Sequence, residues 1–288
     1  MKKLIIIFIC LLLCGCKQVE EKHADISAIN NFNYENIDEF DFDIHSQEYL
    51  LVRMSDLNVM YEKEADKKMY PASLTKLLTL DTVLNCVPDL SEKSSITYNQ
   101  VQQLIIDDAS LAYIQTDYEY TIKDLLYALV LPSGADAAVA LENYFVNHGL
   151  DLVEQMNIQA KKLGCLDSNF VNTTGLHDDS HYTTLNDLFK IVMDVLSFED
   201  GRKILETMHY VSNDNKHIFS SLMHIKEKSA IILGGKTGFT TESGQSVIVL
   251  FKANNRSYIL EIANAMGNPY IEQYWHFEDC VEIIDNLY

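Results

Sequence analysis

Ser73 and Lys76 stand three residues apart in Ser-Leu-Thr-Lys, directly before an apolar stretch in which Leu74, Leu77, Leu78 and Leu84 recur at helical spacing. Positions three apart share a helix face, so the Lys76 amine can reach the Ser73 hydroxyl. A helix start also offers backbone N–H groups to a developing oxyanion. Hydroxyl, amine and oxyanion donors together are the apparatus of acyl transfer to serine. The spacing alone decides little, because a serine cap followed by a solvated lysine is common. Two further segments add weight. Ser133-Gly134 lies in the break between two helical stretches, and Lys236-Thr237-Gly238 follows Gly234 and Gly235 where a strand region begins. A competing metal reading rests on His177 and His181, four apart beside Asp178 and Asp179. Gly175 and the polar run make that segment a loop, so the spacing does not put two imidazoles on one helical face, and His-Glu-x-x-His is absent. No metal is expected.

The elements that must position these groups can be read from pattern. Residues 49–54 and 59–62 form a short hairpin around the turn Ser55-Asp56-Leu57-Asn58, and a buried helix starts at about Ser73. Thr121 with Asp124 caps a helix that Pro132 ends, and residues 137–145 begin another. Asp151 opens a third helix closed by Gly164; Thr184 with Asp187 starts a fourth that runs to about Leu196. From Ile231 strands return, with 247–251 and 258–262 joined by the polar turn Ala253-Asn254-Asn255-Arg256, and residues 277–287 read as a last helix. Strands, then helices, then strands suit an α+β fold: an antiparallel sheet from both ends of the chain, flanked by helices, with an all-helical lobe inserted.

Composition narrows the function class. The chain has 288 residues and a formal charge of −20, so nucleic acid and anionic lipid surfaces would repel most of it. Its one long apolar run, residues 4–14, is too short to cross a bilayer. Lys2 and Lys3 precede that run, and Leu13-Cys14-Gly15-Cys16 ends it, which resembles a bacterial lipoprotein signal. The resemblance implies a signal over residues 1–15, lipid on Cys16, an acidic tether over 16–44 and a catalytic domain over 45–288, held at a membrane outside the cytoplasm. After processing, Cys86, Cys165 and Cys280 are too few for a disulfide framework and are expected as free thiols.

Ser73-x-x-Lys76, Ser133-Gly134 and Lys236-Thr237-Gly238 stand in the order of the Ser-x-x-Lys, Ser-x-Asn, Lys-Thr-Gly motif set of penicillin-binding proteins and serine β-lactamases, 60 and 103 residues apart. Four longer stretches, Pro71-Ala-Ser-Leu-Thr-Lys-Leu-Leu-Thr79, Phe170-Val-Asn-Thr-Thr-Gly-Leu-His177, His181-Tyr-Thr-Thr184 and Gly235-Lys-Thr-Gly-Phe-Thr240, resemble the low-molecular-weight D-alanyl-D-alanine carboxypeptidases over about residues 49–266. That resemblance implies the serine β-lactamase and DD-transpeptidase-like fold, and the peptidoglycan stem peptide as substrate. It also implies β-lactams as covalent inhibitors and no cofactor. Ser73 would be the nucleophile, Lys76 the base and Ser133 the proton relay. The Lys236-Thr237-Gly238-Phe239 strand would bind substrate, its first two side chains holding the terminal carboxylate. The N–H groups of Ser73 and Phe239 would form the oxyanion hole. Burial and the neighbouring Lys236 charge would keep Lys76 neutral.

One position departs from the family pattern: Ala135 stands where Ser-x-Asn has its Asn, and Asp136 is expected to cap the following helix. Ala135 leaves open a catalytically weak penicillin-binding or scaffolding lipoprotein of the same fold. A β-lactamase is a third reading. No Glu between 163 and 181 supplies a deacylation base, which disfavours it.

Overall fold

The computed structural model describes residue 32, residues 43–228 and residues 231–287. The expected signal and Cys16 lie outside them, as does the tether apart from Phe32, Asp43 and Ile44. In chain order the strands are β1 Ser46–Arg53, β2 Asn58–Lys63, β3 Lys93–Ser94, β4 Tyr120–Thr121, β5 His209–Val211, β6 His217–Phe219, β7 Ile232–Thr240, β8 Gly244–Ala253 and β9 Arg256–Ala265. The helices are α1 Thr75–Cys86, α2 Tyr98–Ile106, α3 Ile122–Val130, α4 Ala135–Asn147, α5 Leu152–Lys162, α6 Leu185–Ser197, α7 Glu199–Leu205, α8 Met223–Lys228 and α9 Trp275–Asp285.

Five strands form one antiparallel sheet in the order β2-β1-β9-β8-β7, so the two ends of the chain meet where β1 pairs β9. Its faces carry different loads. Leu50, Val52, Ile248, Leu250 and Ile259 point into a core shared with the helical lobe, whereas Leu51, Val247, Val249, Leu260 and Ile262 face Phe277, Cys280 and Ile284 of α9. Burial on both faces explains why β8 reads as the unbroken apolar run Val247-Ile-Val-Leu-Phe251 rather than as an alternation. The hairpin between β8 and β9 turns through Asn254 and Asn255, both at positive φ, as a two-residue turn between right-twisted strands requires.

The helix signals are met at Thr121, Asp151 and Thr184, whose side chains accept from the N–H of the residue three on. Gly164 closes α5 at φ +74°. Two helix starts beside the site residues differ from expectation. Ser73 sits in a 3-10 turn, Ala72–Leu74, and the α-helix proper starts at Thr75. Helix α4 starts at Ala135 rather than 137, because Ala135 N–H bonds to Ser110 O and fixes the first turn.

Helix α1, which carries Lys76, is clamped within the lobe by a buried carboxyl pair. Asp81 faces Asp194 of α6, with Asn85 donating to both and Gln159 of α5 donating to Asp194. Burial, then the Asp194 charge, hold the Asp81 carboxyl well above the usual carboxylate range. An acid protonated in the folded chain and ionised in the unfolded one adds stability that is full below the ordinary carboxylate pKa and declines as pH rises toward the raised value. Asp81→Asn removes that titration, so the decline of unfolding free energy between about pH 5 and 8 should be shallower in the variant, by up to about 1.4 kcal/mol per pH unit. Urea unfolding across that range measures it, and parallel curves would show that the pair is not the titrating element.

Candidate active site

The 3-10 turn bearing Ser73, the break before α4 bearing Ser133 and the edge strand β7 bearing Lys236 converge on one end of the interface between sheet and lobe. Lys76 Nζ lies 3.0 Å from Ser73 Oγ and donates to the Thr174 carbonyl. Lys236 Nζ donates to Ser133 Oγ at 2.9 Å and to the Thr237 carbonyl at 2.7 Å. The site is thus two hydroxyl–amine pairs. Both lysines are fully buried, while Ser73 is half-buried and open to a ligand.

Two buried ammonium groups side by side are costly, and their proton affinities fall. Burial lowers Lys76 to about 7, against a partial opposing pull from the Asp136 carboxylate. Lys236 is driven well below the ordinary lysine value by burial and then by Lys76. Desolvation is the larger cause at both amines, and the like-charge repulsion between them is mutual.

Backbone geometry sets these contacts. Ser133 adopts φ +64°, uncommon for a residue with a side chain, and bonds from Gly134 N–H to Ala128 O and from Ala135 N–H to Ser110 O hold the flanking chain. A Cβ on Gly175 would stand 1.8 Å from the Ala72 carbonyl, and its φ is +80°. Only glycine lets the loop over residues 172–175 close onto the Ser73 turn and bring the Thr174 carbonyl to Lys76. Asn172 Oδ1 accepts from the N–H groups of Thr174 and Gly175, and Thr173 Oγ1 donates to Glu142 of α4. Gly238 lies against the same turn, where a Cβ would be 3.1 Å from Pro71 O.

Phe239 lies on the free edge of the sheet. Thr240 N–H is taken by Ser243 Oγ, and strand alternation turns Phe239 N–H the opposite way, toward the open side of β7. Ala135 is buried in the first turn of α4. Asp136 beside it is not the N-cap, which is Gly134, although it accepts from the first-turn N–H of Ala137. Its carboxylate also accepts from Ala112 N–H at 2.8 Å and Ile114 N–H at 3.0 Å, and so ties the loop over 110–114 to the helix start.

The two histidines of the competing metal reading diverge. His177 packs edge-on against Tyr70 and lies 3.5 Å from Asp179, whereas His181 Nε2 is 2.7 Å from Thr75 Oγ1. Val171 N–H donates to His181 Nδ1 at 3.2 Å, so Nε2 carries the hydrogen and donates to Thr75. Burial lowers His181 to about 4, which keeps this neutral tautomer at physiological pH. His181 thereby secures the start of α1. Ser221 is a site residue that sequence reasoning missed: its Oγ lies 2.7 Å from Thr237 Oγ1. It belongs to no motif and stands 16 residues from its partner, so no local signal marks it.

A family profile described as D-alanyl-D-alanine carboxypeptidase matches residues 34–267. The chain belongs to that family. Among its relatives, the D-alanyl-D-alanine carboxypeptidase DacF of Bacillus subtilis is 25% identical over 219 residues, covering 75% of this chain and 56% of that protein. The D-alanyl-D-alanine carboxypeptidase DacA of Haemophilus influenzae is 24% identical over 235 residues, covering 78% and 58%. The chain thus spans a little over half the length of these curated relatives. The crystal structure of the Streptomyces K15 DD-transpeptidase superposes with a TM-score of 0.76 at 22% identity, covering 86% of this chain and 98% of that one. The D-alanyl-D-alanine carboxypeptidase of Mycobacterium tuberculosis gives 0.74 at 18%, covering 90% and 97%. These solved structures confirm the fold: an antiparallel sheet flanked by helices with a helical lobe.

An amine with a proton affinity near 7 is neutral above that pH and charged below it. The rate at which Ser73 is acylated by a β-lactam should therefore rise about tenfold per pH unit up to about pH 7 and then level off, as expected when the neutral amine takes the serine proton. Stopped-flow acylation over about pH 5.5 to 8.5 tests this, and a flat profile would remove Lys76 as the base.

Proposed function

We propose that the protein is a serine-type D-alanyl-D-alanine carboxypeptidase that removes the terminal D-alanine of peptidoglycan stem peptides through an acyl-enzyme on Ser73. The observation that carries this reading is the pairing of a half-buried Ser73 hydroxyl with a fully buried Lys76 amine at 3.0 Å. Neutral Lys76 accepts the Ser73 proton as Oγ bonds to the carbonyl carbon between the two D-alanines. The carbonyl oxygen takes up the negative charge and meets the N–H groups of Ser73 and Phe239. Collapse of that intermediate breaks the C–N bond; the leaving amine takes its proton through Ser133, and D-alanine departs. Water then attacks the ester, returning hydrogen to Ser73 and releasing the shortened peptide as a carboxylic acid. Lys236 and the Thr237 hydroxyl receive the substrate carboxylate, with Gly238 letting the strand approach the Ser73 turn.

A β-lactam presents a similar acyl group and would be held as a stable ester on Ser73. The same reading places the enzyme outside the cytoplasm, anchored by lipid on Cys16, because the residues before Cys16 have the order of a lipoprotein signal. No helix among the described residues is long and apolar enough to cross a membrane.

Ser73→Ala should abolish both covalent labelling by penicillin and release of D-alanine from a peptide ending in D-Ala-D-Ala, read by intact-protein mass spectrometry and by a D-alanine assay. Labelling without release in the unaltered protein would favour the catalytically weak penicillin-binding reading that Ala135 keeps open.

Ala135→Asn tests that point directly. An Asn side chain at the start of α4 would add an amide to a site whose Lys76 now relies on Ser73 and the Thr174 carbonyl. Acylation should then quicken by up to about tenfold, equivalent to about 1.4 kcal/mol in the barrier. An equal or slower rate with stability intact would show a site already packed around alanine.

A further inference from the structure

Resting on the carboxypeptidase reading, we propose that Ser221 is a positioning residue for recognition of the substrate carboxylate, acting through the hydroxyl of Thr237. The two hydroxyl oxygens are 2.7 Å apart. Each hydroxyl has a single hydrogen, so only one of the pair donates to the other at a time. In the empty site either direction is open. A carboxylate beside Thr237 only accepts, and it draws the Thr237 hydrogen to itself. Ser221 must then donate to Thr237 Oγ1, which leaves the Thr237 hydrogen one direction to point.

The backbone around Ser221 suits this task. Ser221 N–H donates to the Leu131 carbonyl at 2.9 Å, two residues before Ser133, and Ser220 N–H donates to Met208 O. Ser220 Oγ accepts from Leu222 N–H. These bonds hold the Ser221 hydroxyl between the turn that carries Ser133 and the strand that carries Lys236. Thr237 itself is half-buried on the sheet edge, with its carbonyl already accepting from Lys236 Nζ. A serine donating to a threonine that donates to an anion is a two-step chain, in which each bond polarises the next. Loss of Ser221 frees the Thr237 hydroxyl to rotate and weakens only the contact made by the anion.

The test compares the unaltered protein with Ser221→Ala on two substrates: an acyl-D-Ala-D-Ala peptide with a free carboxylate and the same peptide as its terminal amide. Ser221→Ala should raise KM for the free carboxylate by about two- to tenfold, the range expected for one net hydrogen bond, with kcat nearly unchanged. KM for the amide should not move, and Ser221→Thr should restore the original value for the carboxylate. Equal losses on both substrates would assign Ser221 a merely structural role and overturn the proposal. Unchanged KM on both would overturn it as well. Failure of the carboxypeptidase reading is seen separately, as absence of D-alanine release from the free-carboxylate peptide and of D-alaninamide release from its amide by the unaltered protein. In that case the ratio of Ser73 acylation rates for benzylpenicillin and its methyl ester replaces KM: a ratio lowered by Ser221→Ala supports the proposal, and an unchanged ratio overturns it.

Discussion

Two lysine amines buried within one electrostatic neighbourhood are the constraint around which this molecule is arranged. An isolated ammonium taken out of water is unfavourable by many kcal/mol unless it is paired or sheds its proton. Here the direct partners are neutral: hydroxyls of Ser73 and Ser133 and carbonyls of Thr174 and Thr237. Such partners accept hydrogen bonds without cancelling charge, so both amines lose proton affinity. What would be a solvated cation in an exposed Ser-x-x-Lys is here an amine of low proton affinity held against a hydroxyl. The sheet–lobe interface is what keeps water away, since β7 lies on one side of the Ser73 turn and the loop over 172–175 closes on the other.

Asp136 limits how far this goes. Its carboxylate is buried in the first turn of α4 and feels enough of Lys76 to raise that amine's proton affinity. Three backbone N–H groups, of Ala112, Ile114 and Ala137, hold it in place. The same group therefore fixes the loop over 110–114 and keeps Lys76 near neutrality instead of letting burial carry it lower. Ala135 sits between Ser133 and this anchor, so the missing family amide is flanked on both sides by groups pinned to backbone.

Much of this was legible in the sequence wherever a residue type is demanded by local geometry. Thr121, Asp151 and Thr184 mark helix starts because few side chains satisfy a terminal N–H, and Asn254-Asn255 marks a hairpin because both positions need positive φ. The residues that converge at the candidate site, Ser73, Lys76, Ser133 and Lys236, were legible because the acyl-transfer chemistry expected of them fixes their types. Helix α2 was missed although Thr97 and Gln100 form a capping box before it and Val101, Leu104 and Ile105 recur at helical spacing. The β5–β6 hairpin was missed because His209, Val211, His217 and Phe219 are exposed and mix apolar with polar types. Thr174 as the acceptor for Lys76 could not be foreseen, since any residue has a carbonyl. Asp136 was misassigned because an acid in a first helical turn usually serves that turn, and the loop it holds lies 22 to 24 residues earlier in the chain.

The arrangement also orders the protonation events on the carboxypeptidase reading. In the empty site the proton affinity of Lys236 is lowered by burial and then by Lys76. A substrate carboxylate beside Lys236 changes both terms: it offers a charge of opposite sign at close range, and the pair it forms is neutral overall. An anion against Lys236 thus favours its charged form and offsets the repulsion that this charge exerts on Lys76, whose own proton affinity burial keeps low. On the same reading, a substrate lacking the carboxylate would lose that contact and leave the repulsion between the two amines in place. Selectivity for a free terminal carboxylate follows from the same desolvation that makes Lys76 a base.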